Sequence, residues 1–480
     1  MARSLDGPPE AESLLTMPTG FDFMNLNSLG PSLFIRSCYL PINRKIFDEL
    51  LPSGIRRVVL KGIPGIGKTC FAYYLLCDLI RKRKTIVFED FAGLMFMVNA
   101  DGIIFKGKRG DAMFEEPLND GNTYYLFNCG GKPITVVPLV VRAVSIAVSS
   151  PREEHTKEFM NTDDYDLLYM PMWDLEELER CRQKCNAVLT AALVAERFLL
   201  WGGVARRCFY KGKQSTLDSQ MEEALLKFRD QPIEVLSKVG GQDSFEVSHR
   251  LLHYNVSDNY ENYTMLLASD RVADFMCDMN LQAVVDRIAM LQTDRDQHGF
   301  RGKLFERFAH RVLPFGSSSG YSLRMVPEAE GDRRSIPSPR TSKMEPIASI
   351  DELETAAYDT YLKPSVSNFA VADAVLKLSD SSEMFVYQIT VGVTHSVANA
   401  SLWKIVDKLG CTKLSKLNLV WVVPPDVDFR RPSLTAEQKD FVSQWTLRLP
   451  LEVPPALKKL ITAADLALQD SQSTTATRTP

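Results

Sequence analysis

The sequence predicts an α/β chain built on a parallel sheet with helices on both faces, and three observations predict it. Gly62-Ile63-Pro64-Gly65-Ile66-Gly67-Lys68-Thr69 fits the spacing G-x-x-x-x-G-K-[ST] of a phosphate-binding loop. A short apolar run, Arg57 to Lys61, enters that loop. A segment from Thr69 to about Arg83 leaves it, with Phe71, Leu75, Leu76, Leu79 and Ile80 on one helical face. Further strand-like runs then alternate with helix-like ones, as a parallel sheet with crossover helices requires.

The residue types in the loop follow from the chemistry. Glycines let backbone N–H groups curl around phosphate oxygens without Cβ clashes. The helix that follows brings the positive end of its dipole to the same point. Lys68 would reach the β- and γ-phosphates, and the Thr69 hydroxyl would hold Mg²⁺. Gly62, Ile63, Pro64, Gly65, Ile66, Gly67, Lys68 and Thr69 are therefore candidate ligands of a nucleoside triphosphate, ATP with Mg²⁺. An ordinary glycine turn is the plainer alternative.

A length of 480 residues allows two to four domains. Hydrophobic content of 45% and charged content of 24% are those of a globular chain. A formal net charge of −4 excludes a global basic field that would draw the chain to nucleic acid or membrane. The nine cysteines lack paired metal spacing, so free thiols are expected, Cys181 and Cys185 included. Met1 to Met17 has no continuous apolar core, so no standard signal peptide is expected. The longest apolar run, Ile134 to Val148, is broken by Pro138 and Arg142 and reads as core strand rather than membrane span.

In chain order, residues 1–33 read as a mobile arm. Phe34 to Tyr39 reads as an extended entry and Ile42 to Leu51 as a helix. Thr85 to Glu89 is a second strand, and Gly93 to Phe105 a hairpin or insertion. Thr123 to Asn128 is a third strand and Ser145 to Arg152 a fourth, ending at a polar corner. Trp173 to Cys185 opens with Asp174 as N-cap, and Glu177 completes a capping-box-like spacing. Residues 186 to 290 read mostly as helices, so 211–292 is expected to be a helical lid above a domain at 34–210. Ser317 to Ser349 reads as a loop or linker. Strands return over residues 369 to 424 in a domain at 293–455, and 456–480 reads as a tail, disordered from about Asp470.

Around the nucleotide, a neighbouring strand end should supply an acidic residue for the Mg²⁺ shell. The third strand ends in Asn128, a neutral group, so ATP binding is better supported than hydrolysis. Glu89 and Asp90 are the substitutes if their strand neighbours the loop, or else solvated strand ends. Ser149 and Ser150 lie at a strand end that would face the γ-phosphate, or at a plain turn. Arg197 and Arg206 flank a double glycine, Gly202-Gly203. Either would reach a terminal phosphate from a helical lid, the alternative being a structural arginine beside a glycine cap.

The order GIPGIGKT, SSPREEHTKEF, YMPMWDLEELERCR, ERFLLWGGVARRCF resembles the Crinkler effectors of oomycetes and chytrids, and is similar also to the retrotransposon hot spot proteins of trypanosomes. The resemblance covers about Phe34 to Val423. It implies a P-loop NTPase module followed by a domain of the restriction-endonuclease fold. The family usually has Asp where this chain has Asn128. The resemblance implies secretion and action in the host nucleus, with host DNA or chromatin as partner, and leaves oligomerisation open. Crinklers also begin with a Leu-Phe-Leu-Ala-Lys-like header that this N-terminus lacks, so a nuclear or cytoplasmic protein that is not secreted is the alternative expectation.

The resemblance also maps a nuclease constellation, helix Glu, strand Asp, then Gln/Glu-x-Lys, onto Glu306, Asp373 and Gln388, with Thr390 at the lysine position. Asp373 would hold Mg²⁺ for water activation. His395 or Lys404 would supply a further charge. Read from the residues alone, Asp373 caps a turn, Gln388 satisfies a backbone edge, and His395 is a surface or core histidine. Arg81-Lys82-Arg83-Lys84 reads first as a helix end that complements the dipole and second as a nuclear import signal. Lys404 to Lys416 reads as a DNA-facing side.

Overall fold

The computed structural model describes residues 10–458 except 18–29, 91–92, 130–140, 152–158, 160–163, 186–187, 233–248, 295–296, 320–323, 328–332, 338–343, 366–368, 370–371 and 382. The chain divides into two compact units, Met1–Val272 and Ala273–Pro480.

The first unit opens with a ribbon. Strand β1 (Leu14–Thr16) pairs antiparallel with β2 (Ser32–Phe34), so the described part of the expected mobile arm is ordered by strand pairing. Helix α1 (Tyr39–Arg44) follows, then β3 (Arg57–Lys61), α2 (Lys68–Arg81), β4 (Ile86–Glu89), β5 (Leu94–Val98), β6 (Ile104–Lys108), α3 (Glu115–Asn119), β7 (Tyr124–Asn128), β8 (Val144–Ser149) and β9 (Tyr165–Tyr169). The seven-stranded sheet runs β6-β5-β4-β7-β8-β3-β9. Strands β4, β7, β8, β3 and β9 are mutually parallel, and β5 and β6, in the stretch expected to be a hairpin or insertion, form an antiparallel hairpin at one edge. Parallel strands covered on both faces need near-continuous apolar sequence. Every residue of β3 and β8 is buried accordingly.

Beyond the sheet lie α4 (Leu175–Cys185), α5 (Ala191–Trp201), α6 (Ala205–Cys208) and α7 (Gln214–Asp230). The expected helical lid over 211–292 needs correction. Its middle is a two-stranded antiparallel sheet, β10 (Leu252–Val256) with β11 (Tyr263–Leu267). Tyr254 and Tyr263 pack together there with centroids 4.0 Å apart. This cross-strand aromatic contact overrides the helix-like reading.

The second unit takes in most of α8 (Asp270–Met279), then α9 (Leu281–Met290), α10 (His298–Val312), β12 (Arg324–Pro327), β13 (Arg334–Ser335), β14 (Met344–Ile347), β15 (Tyr361–Pro364), β16 (Ala374–Lys377), β17 (Met384–Ile389), α11 (Asn399–Lys408), β18 (Leu417–Val423), α12 (Ala436–Phe441) and β19 (Val442–Arg448). Its eight-stranded mixed sheet runs β13-β12-β19-β18-β17-β16-β15-β14. The stretch expected to be a linker, Ser317 to Ser349, supplies β12, β13 and β14 to this sheet. Strands β16 and β17 form an antiparallel pair, and α11 lies in the crossover to the parallel β18. Residues 459–480, most of the expected tail, lie outside the described residues. Among the described residues no helix is long and apolar enough to cross a membrane.

Candidate functional site

The loop after β3 has the backbone its sequence requires. Gly65 and Gly67 adopt φ of 90° and 108°, a region that L side chains rarely enter. Helix α2 begins at Lys68, immediately beyond Gly67. A Cβ on Gly65 would stand 2.8 Å from Arg206 Cβ, and one on Gly67 2.8 Å from the Tyr39 hydroxyl. Glycine is therefore needed for close packing as well as for φ. The glycine-lined cradle, the helix N-terminus and the Lys68 and Thr69 side chains form a donor set that fits the phosphates of a nucleotide.

Of the sequence-predicted partners, Asn128 and Arg206 arrive and Arg197 does not. Asn128, at the C-terminal end of β7, donates from Nδ2 to Thr69 Oγ1 at 2.9 Å. Arg206 donates its backbone N–H to the Gly65 carbonyl at 3.0 Å. Its charge bears on Lys68: burial, then repulsion from Arg206, push the Lys68 ammonium down to about 7. Lys68 Nζ donates to the carbonyls of Gly62 at 2.6 Å and Ile63 at 2.9 Å. Arg197 is buried and donates to the carbonyls of Cys208 at 3.3 Å and Tyr210 at 2.7 Å and to Gln214 Oε1 at 3.1 Å. It braces the turn after α5 instead of reaching the loop.

The acidic substitutes are also committed elsewhere. Glu89 accepts from Arg109 Nε at 3.2 Å and Nη2 at 2.6 Å, and from the Tyr125 hydroxyl. Asp90 accepts from the Leu94 N–H at 3.0 Å, closing the β4–β5 turn. Ser149 is buried at the end of β8, which lies between β3 and β7. Arg152 lies outside the described residues.

A set of side chains that the motif does not announce holds the loop from behind. Arg36, fully buried, pairs with both Glu177 oxygens, Nε to Oε1 at 3.1 Å and Nη2 to Oε2 at 2.7 Å. It also donates to the carbonyls of Ile66 at 3.2 Å, Pro171 at 2.9 Å and Met172 at 3.0 Å. Its guanidinium lies 4.3 Å from the Trp173 ring centre. Burial opposes its charge, but Cys38 and Glu177 more than offset this and hold its pKa above the ordinary value. Trp173 Nε1 donates to the Ile66 carbonyl at 2.7 Å, and the Tyr39 hydroxyl to the Gly67 carbonyl at 2.7 Å. Asp174 does cap α4, accepting from the Glu177 N–H at 2.6 Å. Glu177 itself serves Arg36, so the capping-box reading of its side chain gives way to a buried ion pair. The sequence signal that was available is the pair Trp173 and Glu177 at the head of a helix.

In the second unit, Asp373 sits just before β16 and accepts from Gln388 Nε2 at 2.7 Å and the Ile389 N–H at 2.6 Å. Burial pushes its carboxyl up to about 7; the Ile389 N–H opposes this, and the Glu306 charge adds to it. Glu306 on α10 faces two cations, Arg307 at 3.7 Å and Lys303 at 3.9 Å, and the His310 ring at 3.9 Å. Glu306, Asp373 and Gln388 thus gather. His395 does not join them: its Nδ1 pairs with the Ser396 carbonyl at 2.8 Å, and its ring lies 5.6 Å from that of Trp421. Among the described residues no group of three or more His, Cys, Asp or Glu side chains is placed to hold a metal ion. Two carboxylates with water suit Mg²⁺, which takes few protein ligands. Two of the four lysines on the expected basic side are paired with carboxylates. Lys408 pairs with Asp351 at 3.0 Å, and Lys413 with Asp440 at 2.7 Å.

These features define a class, an α/β protein with a glycine-rich loop between a strand of a parallel sheet and the helix that follows it, joined to a second mixed-sheet unit. No family model matches the chain. It is 24% identical over 465 residues to Crinkler effector protein 15 of Phytophthora infestans, covering 93% of this chain and 71% of that protein. It is 25% identical over 466 residues to Crinkler effector protein 16 of the same organism, with the same coverage. Over most of its length the chain is thus similar to Crinkler effectors. Among solved structures, the Thermotoga maritima RuvB Holliday junction branch migration motor aligns over 62% of this chain and 91% of its own, at 14% identity. Its TM-score of 0.25 is too low to support a conclusion.

Proposed function

We propose that the chain is a Crinkler-type effector whose first unit binds ATP with Mg²⁺ at residues 62–69 and whose second unit acts on DNA in the host nucleus. The observation that carries the nucleotide reading is the meeting of Lys68, Thr69, Asn128 and Arg206 at one glycine-lined turn. Backbone N–H groups and Lys68 bind the phosphates, and Arg206 lies where a second cation would meet the terminal phosphate. Thr69 and Asn128 would hold Mg²⁺, which supplies charge neutralisation across the β- and γ-phosphates. Asn128 contributes no charge, and Glu89 is taken by Arg109 and Tyr125. The reading is therefore a nucleotide held with slow turnover.

The test is a titration with labelled ATP together with a phosphate-release assay on purified protein. Wild type is expected to bind ATP and release phosphate slowly. Lys68→Ala should lose binding, and Asn128→Asp should raise release by roughly tenfold or more, as a charged Mg²⁺ ligand would. An absence of ATP binding by wild type would refute the nucleotide reading.

For the second unit, the reading is a metal-dependent nuclease domain of restriction-endonuclease type, with Asp373 holding Mg²⁺ and Glu306 and Gln388 beside it. A second reading, a non-catalytic nucleotide switch that binds a protein partner, is favoured by two neutral residues, Asn128 and Thr390. Tight ATP binding with no phosphate release and no DNA cleavage is its signature. A nuclear protein resembling the retrotransposon hot spot proteins and never secreted is the alternative for location. Tracking the tagged full chain in the producing cell and its host separates the two.

A further inference from the structure

We propose that Arg36, Trp173 and Tyr39 are positioning residues that preset the loop's phosphate-binding amides, and that they act by pinning its carbonyls. This rests on the reading that the loop holds a nucleoside triphosphate. In a trans peptide the C=O and N–H point to opposite sides. Arg36 and Trp173 both donate to the Ile66 carbonyl, at 3.2 and 2.7 Å, so the N–H of Gly67, in the same peptide unit, turns the other way. Tyr39 and the Phe71 N–H hold the Gly67 carbonyl, at 2.7 and 2.9 Å, and this turns the N–H of Lys68 outward in the same manner. These two N–H groups lie at the start of α2, where a helix leaves donors without intrahelical partners. Two adjacent peptide planes are thus oriented before any anion arrives, and an anion binding there needs little reorganisation.

The clamp is rigid because its own parts are fixed. Arg36 is held by both oxygens of Glu177 and packs on Trp173. It follows directly on the β1–β2 ribbon, in which Glu12 N–H bonds the Ile35 carbonyl at 2.6 Å and Ile35 N–H bonds the Ser13 carbonyl at 3.0 Å. The ribbon is tied to α4 by the Glu12–Arg180 ion pair at 2.9 Å and by Lys184 Nζ on the Glu12 carbonyl at 2.5 Å. Ribbon, α4 and phosphate loop therefore form one hydrogen-bonded network, although they lie far apart in sequence.

The experiment uses the full chain and the variants Tyr39→Phe, Trp173→Phe and Arg36→Lys. Each is titrated with MgATP and, separately, with inorganic tripolyphosphate, and each is melted without ligand. Tyr39→Phe removes one hydroxyl and keeps the ring, so its ligand-free melting midpoint should stay within a few degrees of wild type. Its affinity should fall about three- to tenfold, the effect of losing one orienting hydrogen bond. Arg36→Lys, which cannot hold Glu177 and Ile66 together, should lose more. The loss should be equal for ATP and tripolyphosphate, because the amides face phosphate and not base. A loss confined to ATP, or wild-type affinity in folded Tyr39→Phe and Trp173→Phe, would overturn the proposal. Wild type that binds neither ligand would fail the nucleotide reading itself, and the clamp with it.

Discussion

His253 on β10 is fully buried, and its Nε2 has no hydrogen-bond partner among the described residues. Burial, aided by the charge of His249, pushes its pKa down from 6.5 to about 3. The folded chain therefore keeps this ring neutral while the unfolded chain protonates it below about pH 6.5. The unfolded state binds more protons between those values, so stability falls as pH drops from about 6.5 toward 3. At pH 5.5 the expected loss is about 1 kcal/mol relative to pH 7.5. Urea unfolding of wild type and His253→Leu at the two pH values checks this, and the loss should shrink in the variant. Single residues also show what the sequence could convey. That Glu306, Asp373 and Gln388 lie near one another was legible because a family pattern fixed their order. Arg36 was not legible: its partner Glu177 lies 141 positions away, and nothing local marks the pairing. Glu177 was misread for the converse reason, since its spacing from Asp174 satisfies a local rule while a distant guanidinium claims the carboxylate.

At the scale of elements, the joint between α5 and α6 explains why a double glycine follows Trp201. Gly202 adopts φ of 56°, and a Cβ there would stand 3.0 Å from His253 Nδ1. A Cβ on Gly203 would lie 2.6 Å from the Trp173 backbone nitrogen and nearer still to its carbonyl. The joint closes on Trp173, whose indole holds Ile66. Gly203→Ala is expected to cost on the order of 2–3 kcal/mol, a forced backbone shift at a buried contact. Thermal melting should show it, and ATP affinity should fall as the indole is displaced. The sequence marked this joint as a helix end, but the reason lies in a segment thirty residues earlier in the chain. The same limit governed the strands. Strands β3, β7 and β8 were readable because burial on both faces demands unbroken apolar runs. Strands β12, β13 and β14 are two to four residues long and sit among Ser, Pro and Arg, so only their pairing with β19 and β15 reveals them.

On the scale of the whole molecule, the proposed function gives the chain two separate chemistries, and single substitutions can separate them. Lys68 and Asp373 belong to different compact units, and each is displaced from its ordinary pKa by its own surroundings. Among the described residues, Lys68 bonds the Gly62 and Ile63 carbonyls while Asp373 bonds Gln388 and the Ile389 N–H, so each variant tests one of the two proposed sites. Supercoiled plasmid incubated with Mg²⁺ should be nicked by wild type, and Asp373→Ala should slow nicking by about a hundredfold or more, the scale of losing a metal-holding group. Lys68→Ala should nick in the absence of ATP as wild type does. If nucleotide state governs the second unit, ATP should change the wild-type nicking rate and leave that of Lys68→Ala untouched. Equal nicking by wild type and Asp373→Ala would remove the catalytic role from the Asp373 pocket and leave the chain as a nucleotide switch that binds a partner. An ATP response that survives in Lys68→Ala would place the nucleotide effect outside residues 62–69.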